Sequence, residues 1–244
     1  MNKIRLDKLL VTKGLIESLE KARALILEGL VLVNDTKTDK AGTLVDSNSD
    51  LKILQTLPYV SRGGLKLEAA LRDFNINITG KTAMDVGAST GGFTDCLLQH
   101  GAKEVYAVDV GYGQFAWKLR NDPRVTVFEK TNIRYFIREN IPAEIDIATI
   151  DVSFISLLKV IPKVMEFLCP AGEIIALIKP QFEALKKDVE KGGVIKNETK
   201  RAEIVDTIIR EVEKMGLEVK GVIKSPLTGP KGNVEFLIYL KLKQ

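Results

Sequence analysis

Two stretches carry residue types able to do chemistry. In "DVGASTGGFTDCLL", from Asp85 to Leu98, three glycines (Gly87, Gly91 and Gly92) follow a short apolar run and open a helical pattern. Glycines there let backbone approach a ligand closely. The spacing is neither GxGxxG nor GxxxxGK, so neither a pyrophosphate fingerprint nor a phosphate loop is matched. The next apolar run, "VYAVDV", brings up Asp109, near the roughly 20-residue spacing at which an acid grips ribose hydroxyls. A carboxylate accepts two hydroxyl hydrogen bonds in one plane, which suits a vicinal diol. Loop and acid together fit an adenosine cofactor whose far end is not a pyrophosphate. An ordinary strand-to-helix turn followed by a solvated acid fits the same residues. The second stretch is "GEIIALIKPQFE", Gly172 to Glu183. Its apolar run reads as a buried strand that ends in Lys179, with Pro180 stopping the pattern. Such a lysine either snorkels its ammonium to water or is held at the strand end for use.

The elements that must position these residues alternate. Strands are expected at "TAMDV", "EVYAVDV", "RVTVF", "IDIATID", "GEIIALIK", "LEVKGVIK" and "VEFLIYLK". Helices fit Leu65–Phe74, Gly92–His100, Gln114–Arg120, Ile133–Glu139, Leu157–Leu168 and Lys200–Met215. This alternation predicts an α/β, Rossmann-like fold with a mostly parallel sheet covered on both faces. The loop "SPLTGPKGN" joins the last two strands without a helix and predicts an antiparallel pair. In such sheets, ligands bind beyond the carboxyl ends of the strands.

The chain before Leu57 has a different texture. "RLDKLLVTKG" closes on Gly14, Ser18 caps "SLEKARALILEG", and Gly29 ends that helix. "LVLVN", "GTLV" and "LKIL" supply short strands, with a turn at Asn34-Asp35. This small α+β piece reads as residues 1–57, followed by a linker at 58–64 and the large domain at 65–244. Lys3, Arg5, Lys8, Lys13, Lys21 and Arg23 crowd its two helices, with Glu17, Glu20 and Glu28 interleaved. They serve either as an RNA surface or as an ordinary solvated helix face.

Composition narrows the class. The chain has 244 residues, a formal charge of +4, 45% hydrophobic and 28% charged residues, which suits a globular protein. Two cysteines, Cys96 and Cys169, both in apolar helix-like contexts, and one histidine give no metal site and no disulfide framework. They read as buried free thiols. "MNKIRLDKLL" has charge where a secretory signal needs an apolar core, and no apolar run reaches bilayer-spanning length. A reduced, cytoplasmic protein is expected.

Acid-x-Gly-x-x-x-Gly-Gly-Phe with a strand-end acid resembles an S-adenosylmethionine-dependent methyltransferase of the FtsJ-like class. Over nearly its full length the chain resembles the TlyA family. "YVSRGGLKLEAAL", "DVGASTGGFTDCLL", "AVDVGYGQ", "DVSFISL", "IKPQFE" and "GNVEFLIYLK" fall in that family's order. The resemblance implies an N-terminal S-four-type RNA-binding domain joined to a ribose 2′-O-methyltransferase of ribosomal RNA, with cytidine as target. It implies S-adenosylmethionine as cofactor, held by Asp85, Gly87, Ser89, Gly91, Gly92, Phe93 and Asp109, with Asn132 facing the adenine. Thr131 or Asn132 would equally cap the next helix. The family's Lys-Asp-Lys-Glu set falls on Lys66, Asp151, Lys179 and Glu235.

The chemistry suits that set. A sulfonium methyl is already activated, so alignment and a base remain to be supplied, and no metal is needed. Lys179 is expected as base or polariser with Asp151 as partner. Lys66 supplies a neighbouring cation and, with Glu235, orients the ribose and the lysines. The charged segment Glu183–Lys200 is expected to be a flap over cofactor or RNA, or a plain surface loop. Family members that end early modify only the large subunit, and "YLKLKQ" at this chain's end points there. The alternatives are a non-catalytic rRNA-binding protein, a membrane-active hemolysin and a small-molecule methyltransferase.

Overall fold

The computed structural model describes residues 3–27, 29–54, 58–185, 188–190 and 192–243. Glu28, Thr56, Leu57 and the flap residues Lys186, Lys187 and Lys191 lie outside them. Its contacts divide the chain into two units, Met1–Arg62 and Gly63–Gln244.

The first unit opens with β1 (Lys3–Arg5), α1 (Leu6–Thr12) and α2 (Leu19–Leu27). Ser18 Oγ accepts from Lys21 N at 3.2 Å, and Gly14 and Gly29 take left-handed backbone just past the two helices. Strands β2 (Val31–Val33), β3 (Thr36–Lys37), β4 (Leu44–Asp46) and β5 (Leu51–Ile53) follow. β1 pairs with β4, while β2 is flanked by β3 and β5. Asn34 and Asp35 both have positive φ, the signature of a type I′ hairpin turn. Leu6, Leu9 and Leu10 of α1 pack with Ala22, Leu25 and Ile26 of α2 in a small core.

The second unit is a seven-stranded sheet. In chain order it contains α3 (Gly63–Asp73), β6 (Thr82–Val86), α4 (Gly92–Gln99), β7 (Glu104–Val108), α5 (Trp117–Arg120), β8 (Val125–Phe128) and β9 (Ile145–Ile150). Then come α6 (Ile161–Met165), β10 (Leu168–Ile178), α7 (Pro180–Glu183), α8 (Glu198–Lys214), β11 (Leu217–Lys224) and β12 (Phe236–Leu242). The strand order is β11-β12-β10-β9-β6-β7-β8. β12 runs antiparallel to both neighbours, and the pairs among β10, β9, β6, β7 and β8 are parallel. All five residues of β6 are buried, as are Ile174 to Ile178 of β10. Burial on both faces is why these strands read as continuous apolar runs rather than alternating ones. Each fully buried Leu or Ile contributes roughly 1.5–3 kcal/mol.

Three local expectations change. Ile133–Glu139 is not one helix but two 3₁₀ turns, Ile133–Tyr135 and Arg138–Asn140. Ile133 and Phe136 are both buried there, so tertiary packing overrides helical periodicity. Leu157–Leu168 splits into a 3₁₀ turn, Leu157–Lys159, and the short α6 carrying Pro162. Proline lacks an amide proton and fits only a helix's first turn. β10 already begins at Leu168, so Cys169 lies in a strand and is half-buried, while Cys96 is fully buried in α4.

Candidate active site

Parallel strands end together, and here four ends meet a fifth strand's beginning. Gly87 follows β6, Asp109 follows β7, Asp151 follows β9 and Lys179 follows β10, while Glu235 stands just before β12. Phe236 is the register partner of Ile178. Glu235 and Lys179, one residue beyond each, are thereby brought side by side at the sheet edge.

The Lys179 ammonium lies 2.6 Å from Asp151 Oδ1 and donates to Ser153 Oγ at 2.9 Å. It also stands 6.0 Å from the Phe182 ring centroid. Its side chain is 10% exposed, which limits its freedom to snorkel. Lys66, from α3, donates to Glu235 Oε2 at 2.7 Å, and the Glu235 side chain is wholly buried. Glu235 Oε1 has no hydrogen-bond partner among the described residues. A Cβ on Gly229 would stand only 2.0 Å from that oxygen, so residue 229 must be glycine for the carboxylate to sit there. All four residues expected to carry the chemistry are thus engaged in two lysine–carboxylate pairs.

A cavity of about 660 Å³ opens at the same edge. Gly87, Ser89, Asp109, Asn132 and Asp151 line it, along with Gln114, Arg134, Ser153, Phe154, Lys159 and Phe182. Asp109 Oδ2 accepts from Ser89 N at 2.7 Å, and its Oδ1 accepts from Gly111 N at 2.5 Å. The acid after the second strand therefore fastens the glycine loop while facing the cavity. Asn132 caps the next turn and also borders the cavity. Its Oδ1 accepts from Arg134 N at 3.2 Å.

Asp85, Gly91, Gly92 and Phe93 are placed differently, outside the cavity lining. Asp85 is fully buried, and its carboxylate accepts from Thr94 Oγ1 at 2.7 Å and Thr149 Oγ1 at 3.1 Å. Burial pushes this carboxyl up to about 6, against the two hydroxyl donors. Its work is to tie α4 and β9 beneath the loop. Phe93 is buried as well.

Several contributors escape sequence reasoning. Thr94 and Thr149 carry no motif signal of their own. Ser153 follows Asp151 closely in "DVSFISL", where only the acid has a motif role. Glu183 accepts from Leu157 N at 2.8 Å and so caps the 3₁₀ turn beyond Asp151. Burial raises its carboxyl above the usual range. Phe154, with φ +63°, is 89% exposed and packs 4.9 Å from Phe182 by ring centroids. Among the described residues no cluster of His, Cys, Asp and Glu could hold a metal ion.

The FtsJ-like methyltransferase family model matches residues 59–242, and an S4 domain model matches residues 4–51. The chain belongs to the FtsJ-like methyltransferase family. Relatives of this FtsJ-like chain include the "Putative rRNA methyltransferase YqxC" of Bacillus subtilis (strain 168), 47% identical over 98% of this chain and 85% of that protein. They also include the 16S/23S rRNA (cytidine-2′-O)-methyltransferase TlyA of Mycobacterium tuberculosis, 43% identical over 97% of this chain and 89% of that protein. Among solved structures, a "putative hemolysin" from Streptococcus thermophilus superposes with a TM-score of 0.79 at 42% identity, covering 100% of this chain and 90% of that one. The FtsJ-like unit thus supplies the sheet, cavity and paired lysines described above. No described helix of the chain is long and apolar enough to cross a membrane.

Proposed function

We propose that this protein transfers the methyl group of S-adenosylmethionine to the 2′-hydroxyl of a cytidine ribose in ribosomal RNA. The observation that carries this reading is the edge where Lys179–Asp151 adjoins a cavity with a ribose-type acid. Asp151 belongs to both, as partner of Lys179 and as a lining residue. A methyl donor in the cavity would present its reactive end where a lysine is held.

Each residue then has a task. Asp109 has lone pairs left to accept from the cofactor's ribose hydroxyls. Gly87 and Ser89 bring backbone close to the cofactor, and Asn132 offers an amide to adenine. These residues suit S-adenosylmethionine, which supplies an activated methyl group when bound. Lys179 polarises the ribose hydroxyl as an ammonium, or takes its proton as a neutral amine once the ammonium has itself lost a proton to solvent, and Asp151 and Ser153 fix its direction. Asp151 keeps the two lysines from repelling each other freely, while Lys66 and Glu235 orient the sugar and add a second fixed charge pair. Removing the hydroxyl proton would make the oxygen a nucleophile toward the activated methyl group that bound S-adenosylmethionine would supply, with the sulfur keeping the electron pair of the bond it gives up. Positioning and general base catalysis carry the rate.

The RNA part of the reading rests on the S4 domain match and on the relatives' names. Exposed Phe154 at the cavity mouth offers a face on which an unstacked base can lie, a mode typical of RNA recognition. Large-subunit rRNA is the substrate to be tried first; the M. tuberculosis relative is named for both 16S and 23S rRNA.

The test is incubation with methyl-labelled S-adenosylmethionine and ribosomal subunits or naked rRNA. Label should enter RNA. No incorporation into either subunit or free rRNA contradicts the proposal.

A further inference from the structure

Asp7 is completely buried in the first unit, yet it is an acid. Two arginines from different elements converge on it. Arg5, at the end of β1, donates Nε to Oδ1 at 3.0 Å and Nη2 to Oδ2 at 2.8 Å, a two-pronged fork. Arg23, from α2, donates Nε to Oδ2 at 3.0 Å, and Lys8 N reaches Oδ1 at 2.9 Å. The carboxyl is held well below its usual range, mainly by the Arg5 hydrogen bonds. It stays ionised at any pH where the protein works.

The arginines are not buried with it. Their side chains are 43% and 54% exposed. Asp7 occupies two of Arg5's N–H groups and one of Arg23's, of the five that each guanidinium carries. The outer N–H groups of both remain in fixed planes at the surface. Other cations of this unit are tied differently. Lys13 donates to a backbone carbonyl, Ser49 O, at 2.9 Å, and Lys21 pairs with exposed Glu17 at 2.9 Å. Neither is held by a buried charge.

A free arginine gives up side-chain rotamer freedom when it binds a phosphate. Arg5 and Arg23 have lost much of that freedom on folding. The geometry points to Asp7 as a positioning residue that fixes Arg5 and Arg23 as one anchor for RNA backbone phosphates. This rests on the RNA-substrate reading above. It also makes a prediction opposite in sign to simple charge counting. Neutralising an acid should tighten binding to a polyanion, whereas freeing the two guanidinium groups weakens it.

The experiment uses the full chain and naked 23S rRNA, with affinity followed from about 50 to about 200 mM salt. Asp7→Asn should bind about tenfold more weakly than the wild type despite its extra net positive charge. Arg23→Lys keeps the charge but loses the planar fork. It should show the same direction of loss, an unchanged salt slope and an unchanged thermal midpoint, which covers the case in which Asp7→Asn fails to fold. Equal or tighter binding by a folded Asp7→Asn, or wild-type affinity in Arg23→Lys, overturns the anchor while leaving the RNA reading intact. Absence of wild-type binding to the rRNA overturns both together.

Discussion

The backbone of Asp151 lies directly against Gly87. A Cβ built on Gly87 would stand 2.5 Å from the Asp151 carbonyl oxygen, and Gly87 itself has φ +85°. Asp151 N also donates to Val86 O at 2.9 Å. The loop proposed to hold the cofactor and the acid proposed to hold the base are thus one packed unit. Gly87→Ala meets both a left-handed backbone and a steric clash. It should cost about 1–3 kcal/mol of stability and displace Asp151. Methyl transfer should therefore fall more than cofactor affinity alone explains, as single-turnover rates at saturating cofactor will show.

Lys66 and Glu235 test the buried-pair argument. Removing one member of a buried pair strands the other, at about 3–5 kcal/mol. Glu235→Ala and Lys66→Ala should each destabilise in urea unfolding. The double variant should lose less than their sum, with a coupling of about 1–3 kcal/mol. Strict additivity would show that the 2.7 Å contact carries no energy.

Asp85 gives a pH prediction. Its carboxyl titrates at about 6 in the folded protein against 3.8 ordinarily. Below about pH 4 both states are protonated. As pH rises toward 6, the unfolded chain gives up the proton first, so the folded state loses stability relative to it. Above 6 the penalty is constant, about 3 kcal/mol. Asp85→Asn mimics the neutral acid and escapes this. Its stability advantage over the wild type should grow from near zero at about pH 4 to a plateau above pH 6. A flat difference would mean that Asp85 ionises normally.

Asp109 is proposed to grip the cofactor's ribose. Asp109→Ala removes a charged acceptor worth about 1.5–3 kcal/mol, so the dissociation constant for S-adenosylmethionine should rise by roughly tenfold to a hundredfold. Calorimetric titration reads this directly. Unchanged affinity would restrict Asp109 to fastening Ser89 and Gly111.

The strand segments and the sheet's carboxyl edge were legible because burial on both faces writes itself as unbroken apolar runs, as in "TAMDV" and "IIALI". The antiparallel β12 followed from a connection too short for a crossover helix. The Ile133–Glu139 segment was misread because Ile133 and Phe136 mimic helical spacing while packing as turns. The strand-end positions of Asp109 and Lys179 were legible from the apolar runs before them, whereas Lys66, Asp151 and Glu235 were implied only by the family resemblance. The site's support was not legible. Thr149 and Glu183 act through contacts between residues distant in sequence, Thr94 acts on Asp85 from within the same loop-to-helix stretch, and Asp85 has a motif position yet a buried, structural setting.

Lys179, held by Asp151, is proposed to activate a ribose hydroxyl of rRNA. The direct test is nucleotide-resolution mapping of ribose methylation in rRNA and ribosomal subunits treated with S-adenosylmethionine and either wild type or Lys179→Ala. The wild type should leave a 2′-O-methylated cytidine, and Lys179→Ala should lower the rate by about 10²–10⁴ at undiminished cofactor affinity. Wild-type methylation that persists at full rate in Lys179→Ala, or lands on a base instead of a ribose, would contradict it.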